Sequence, residues 1–117
     1  MAESELCMSK YQRTKGAGWE RDRANWWKKL GFKEARRNLN QYQKPDGRDL
    51  LGVPGFCEQD KCGKNINIYQ AYVEAVSAAN PIEIPIAAIK YDNKTPLIVM
   101  SEADFEKLLK KGGPIYG

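Results

Sequence analysis

Two short apolar runs late in the chain, Ile84-Pro85-Ile86-Ala87-Ala88-Ile89 and Pro96-Leu97-Ile98-Val99-Met100, constrain the fold most. Asp92-Asn93-Lys94 joins them, so they read as the two strands of a hairpin. Ser101 follows at once, with Asp104 three residues on, and this pair signals the start of a last helix. Its apolar face is Phe105, Leu108 and Leu109, and Gly112-Gly113 ends it. Before the hairpin, residues 66–79 predict a helix with a stripe of Ile66, Tyr69, Tyr72 or Val73, and Val76, closed by Asn80-Pro81. A first helix is predicted over 17–30, where Trp19, Arg23, Trp26, Trp27 and Leu30 recur at steps of three and four before Gly31. One of the adjacent pair Trp26 and Trp27 must leave that stripe. Between these helices lie three strand segments, over 32–38, 49–51 and about 56–62. Pro45-Asp46-Gly47 and Gly52-Val53-Pro54-Gly55 supply the turns between them. The order α-β-β-β-α-β-β-α predicts an α/β fold, with a mixed central β-sheet flanked by helices.

The chain has 117 residues and is 42% apolar, enough for one core and too little for a second. Residues 1–14 are polar and without periodicity, and read as a flexible basic arm. Residues 15–111 read as a single domain and 112–117 as a tail. No stretch approaches the roughly 18 unbroken apolar residues of a membrane span. The first residues, Met-Ala-Glu-Ser-Glu, lack the basic and apolar parts of a secretion signal, so a cytoplasmic location is expected. Cys7, Cys57 and Cys62 are then expected as reduced thiols.

The chain contains no histidine. That excludes Ser-His-Asp and Cys-His catalysis, histidine-based nucleases and histidine-metal hydrolases. Hydrolysis would have to use carboxylates, a lysine and a hard metal ion. The net charge of +4 favours a polyanionic partner. Phosphodiester hydrolysis needs an activated water and neutralisation of phosphate charge. Carboxylate-held Mg²⁺ with a nearby lysine can supply both.

Asp49 opens a short strand, and Glu58-Gln59-Asp60-Lys61 lies on the next. Alternation puts Gln59 and Lys61 on one face and Glu58 and Asp60 on the other. Glu20 sits at the edge of the tryptophan face of the first helix. Using Glu58 or Asp60 beside Lys61 would need a bulge. Arg13, Lys15, Arg36, Arg37, Lys44 and Arg48 are basic residues that could meet phosphate or simply be solvated.

The ordered set Gly52-Val53-Pro54-Gly55-Phe56, Lys61 and Asn67-Ile68-Tyr69 resembles the phage-type Holliday junction resolvases of the PD-(D/E)XK superfamily. Gly31-Phe32, Arg36-Arg37 and the closing Leu97-Ile98-Val99-Met100 with Phe105 also fit, so the resemblance covers about residues 10–110. It implies a restriction-endonuclease-like core and Mg²⁺- or Mn²⁺-dependent cutting of four-way DNA junctions by a homodimer. It implies Glu20 and Asp49 as metal ligands and Lys61 as the catalytic lysine. The second strand carboxylate of the family falls at Gln59, a departure that removes one negative charge from the metal site. Three readings stand side by side. Gln59 is a tolerated ligand through its carbonyl oxygen, or the carboxylate has moved to Glu74, or this copy binds DNA without cutting it. Another nuclease of the same superfamily is the remaining alternative.

Overall fold

The computed structural model describes residues 10–39 and 47–112, with side chains from residue 14 onward. Its elements run α1 (Lys10–Lys29), β1 (Arg36–Arg37), β2 (Leu50–Leu51), β3 (Phe56–Gly63), α2 (Ile68–Ala78), β4 (Ile84–Tyr91), β5 (Leu97–Val99) and α3 (Glu102–Lys111). The predicted order holds element by element. The first helix begins at Lys10 and so takes in part of the expected arm. That extra stretch carries no apolar stripe, which is why periodicity alone misses it.

β3 and β4 run parallel over eight residues each, in unbroken register from Phe56↔Ile84 to Gly63↔Tyr91. A parallel pair needs a crossover, and α2 supplies it. β5 lies antiparallel on the far side of β4, which confirms the hairpin around Asp92-Asn93-Lys94. The three strands form a mixed sheet in the order β3-β4-β5. Alternation along β4 divides the core in two. Ile86 packs on one face with Ala24 and Trp27 of α1 and Leu50 of β2. Ala87 and Ile89 pack on the other with Ala71 of α2. The result is a helix–sheet–helix sandwich.

The expected single sheet is divided. β1 and β2 form their own antiparallel ladder, Arg36↔Leu51 and Arg37↔Leu50. It adjoins β3 where the Asp49 N–H donates to the Glu58 carbonyl, at 3.0 Å. One residue pair further on, the Asp60 N–H donates to the Asp49 carboxylate at 2.6 Å. A side chain thus takes the place of the next ladder carbonyl, and β2 parts from β3 there. At the other end of β2, Gly52 opens the turn into β3 with φ +79°, and a Cβ at this position would lie 2.0 Å from the Glu34 carbonyl oxygen. Only glycine admits that backbone crossing.

The stripe expected for the second helix holds at Ile66, which packs against the core, and is corrected beyond it. Ala71 and Ala75 are its buried residues, whereas Tyr69 is 73% exposed and Val73 and Val76 also face outward. Helix and sheet approach closely through small side chains, Ala71 against Ala87, and size kept the tyrosine outside. Trp27 is buried and Trp26 is exposed, so Trp26 is the member of that pair that leaves the stripe. No helix among the described residues is long and apolar enough to cross a membrane.

Candidate functional site

The chemistry gathers where Asp49 meets β3. Asp49 is buried, and its carboxylate is fixed by the Asp60 N–H. Burial pushes its pKa up to about 7. The Asp60 N–H works against that rise, Glu20 adds to it, Lys61 opposes it and Glu58 adds again. Glu20 and Lys61 both act on Asp49. Glu20 is held by Arg37, whose Nε donates to Oε1 at 3.1 Å.

β3 keeps its alternation, so the register that would bring Glu58 or Asp60 beside Lys61 does not occur, and β3 has no bulge. Lys61 and Gln59 face α2. The Lys61 ammonium lies 3.0 Å from the Glu74 carboxylate, with both side chains about two-fifths exposed. Glu74 also accepts from the Gln70 amide at 3.5 Å. Gln59 is buried beside Gly47 and the end of α2. A Cβ on Gly47 would lie 2.9 Å from Ala78 Cβ and 3.9 Å from the Gln59 amide nitrogen. Of the two candidates for the missing carboxylate, Glu74 is thus brought to the lysine, and Gln59 is packed at the loop that delivers Asp49.

On the opposite face of β3 a second buried group was foreshadowed only by the odd arginine in the tryptophan stripe. Arg23 grips Glu58 with two bonds, Nε to Oε2 at 2.7 Å and Nη2 to Oε1 at 3.1 Å. The Trp27 indole N–H donates to the same carboxylate at 2.7 Å. Burial works against the Glu58 carboxylate, but hydrogen bonds from Asp60 and Arg23, the Arg23 charge and the Trp27 N–H together hold its pKa below the ordinary range. Asp60 moves the other way. Burial, followed by its hydrogen bond to Glu58 and the charges of Glu58 and Asp49, raises it well above the ordinary range. Its carboxyl oxygens accept no hydrogen bond among the described residues, which suits a carboxylic acid that donates its proton to Glu58. Arg23 also stacks over Trp26, 4.3 Å from the ring centre.

The basic residues divide by what they already hold. Arg48 clamps Glu83 through both terminal nitrogens, at 2.9 and 2.8 Å, and donates to the Ala78 carbonyl. Lys15 pairs with Asp92. Arg36 is exposed and donates to the Glu34 carbonyl at 2.9 Å. The Arg13 side chain and Lys44 lie outside the described residues. Among the described residues, no group of three or more acidic or thiol side chains is arranged to hold a metal ion. No family model matches this chain, and no curated protein or solved structure matches it.

Proposed function

We propose that this chain is a metal-dependent endodeoxyribonuclease that cuts branched DNA, with the four-way junction as its substrate. The observation that carries the reading is Asp49. A carboxyl buried beside other acids, with its pKa pushed up to about 7, is costly to ionise and is relieved by a cation at the same place. Asp49 and Glu20 would hold Mg²⁺ or Mn²⁺, with Gln59 contributing its carbonyl oxygen. The bound ion would supply a water acidic enough to attack phosphate and offset charge on the phosphate oxygens. Lys61, kept in place by Glu74 at 3.0 Å, orients the attacking water or stabilises the charge that builds on the phosphate. Arg37 would hold the Glu20 carboxylate through its hydrogen bond. The net charge of +4 favours the approach of DNA.

A second reading has its own observation. Gln59 stands where a carboxylate is expected, and the described residues hold no three-acid group. On that reading the scaffold binds junctions without cutting them. Both are tested by incubating a labelled four-way junction and a matched linear duplex with the protein and with Gln59→Glu, in Mg²⁺, Mn²⁺ or EDTA. Metal-dependent cutting of the junction alone by the unaltered protein supports the nuclease. Cutting only by Gln59→Glu identifies a disarmed copy. Tight junction binding with no cutting by either supports the binding scaffold.

A further inference from the structure

Trp26 leaves the core stripe of α1 and joins a different one. Lys15, Trp19, Asp22, Trp26 and Lys29 recur at steps of four and three, so they share one side of the helix. That stripe is about 21 Å long, the length of about six stacked nucleotides. Across from it stand Lys90 and Pro96 of the β4–β5 hairpin. Two adjoining cavities, of about 630 and 460 Å³, run between helix and hairpin, with Trp19 and Asp22 lining both. They form one groove. Glu20, Asp49, Gln59 and Lys61 do not line it.

The floor of the groove is fixed by contacts of its own. The Trp19 indole N–H donates to the Ala88 carbonyl of β4 at 3.1 Å. Arg23, locked on Glu58, sets its guanidinium 5.8 Å from the Trp19 ring centre and 4.3 Å from that of Trp26. Trp26 is 42% exposed. Four cations, Lys15, Arg23, Lys29 and Lys90, line the groove against two anions, Asp22 and Asp92. Lys15 pairs with Asp92. A cationic groove with aromatic rings along it suits a single nucleic-acid strand, whose phosphates meet the lysines and whose bases stack on the rings. A duplex keeps its base faces stacked inside and could use only the lysines. An apolar helix laid there would bury Asp22 and Lys29 without partners. We infer that this groove binds a single strand of DNA, with one base stacked on Trp26 and phosphates on Lys29 and Lys90. The choice of DNA rests on the nuclease reading; the groove itself does not.

Fluorescence anisotropy on the full chain tests it, in EDTA so that metal-dependent cutting does not intervene. The probes are a labelled thymidine strand of about twelve nucleotides, a strand of the same length lacking every base, and a matched duplex. The unaltered protein should bind the thymidine strand at least about tenfold tighter than the baseless one. Trp26→Ala should lose about tenfold for the thymidine strand and leave the baseless strand, the duplex and the far-ultraviolet circular dichroism unchanged. Trp26→Phe keeps a ring and should keep most of the binding. Lys29→Ala, at an exposed position, should weaken both single strands and lower the salt slope by roughly 0.7. Equal binding of the thymidine and baseless strands, or a loss in Trp26→Ala that the duplex shares, would overturn stacking in the groove. Competition by thymidine monophosphate at the strand's own affinity would make a free nucleotide the ligand and overturn the strand. Tight binding of a four-way junction without binding of the thymidine strand would overturn this inference and leave the nuclease standing. No binding of any DNA would overturn both.

Discussion

Asp49 combines two roles in one carboxyl. It replaces a strand carbonyl as acceptor of the Asp60 N–H, and it stands among acids in a dry place. Its pKa of about 7 when folded lies above the 3.8 of an ordinary aspartate. Between those values the folded protein holds a proton that the unfolded chain has lost. This residue's contribution to stability should therefore fall as pH rises from about 4 to 7, by on the order of 4 kcal/mol. Asp49→Asn keeps an acceptor for the Asp60 N–H and removes the titration. Its urea midpoint should exceed that of the unaltered protein at pH 8 and differ much less at pH 4; equal gains at both would contradict this assignment. A cation held by Asp49 favours the ionised form. Added Mg²⁺ should then raise the melting temperature more at pH 8 than at pH 5, and do so weakly in Asp49→Asn. The position of Asp49 at a strand start was legible in the sequence. Its burial was not, because that depends on how α1 and β3 close around it.

At the scale of elements, one ion pair ties α1 to β3. Arg23 and Glu58 are both almost wholly buried, and Trp27 shares the carboxylate. Removing one partner leaves the other charge uncompensated. Arg23→Ala should cost about 3–5 kcal/mol by urea denaturation, and the double replacement Arg23→Met with Glu58→Met should recover much of that. A double variant no more stable than the single would show that the pair contributes beyond mutual compensation. Gly52 makes a second junction, where β2 turns under the backbone at Glu34. Gly52→Ala should destabilise by several kcal/mol, on the order of a severe core lesion, or prevent folding, because backbone and not a movable side chain is in the way. The element order was legible because each segment has its own periodicity and its own stop. The buried face of α2 was not, because side-chain size points to Tyr69 and Val73, whereas close helix–sheet contact selects Ala71 and Ala75. The Arg23–Glu58 pair was half legible. A charge inside a tryptophan stripe calls for a partner, but alternation alone does not say which face of β3 meets α1.

At the scale of the molecule, the sheet separates two sets of charged residues. Glu58, Asp60 and Arg23 lie with α1 and serve the join between layers; Gln59, Lys61 and Glu74 lie with α2. Asp49 sits at the sheet edge, within the field of both. That placement lets a strand with four consecutive polar residues join α1 through Glu58 and meet α2 through Lys61. The most direct test of the nuclease reading is the rate of Mg²⁺-dependent junction cleavage by Asp49→Asn and by the parent protein, using the Gln59→Glu background if the unaltered chain is silent. We expect the parent to cut the junction and not the linear duplex, and Asp49→Asn to lose about 100-fold or more in rate while still binding the junction. Equal rates for the two, or no cutting in either background, would contradict the assignment of Asp49 as the metal-holding carboxylate.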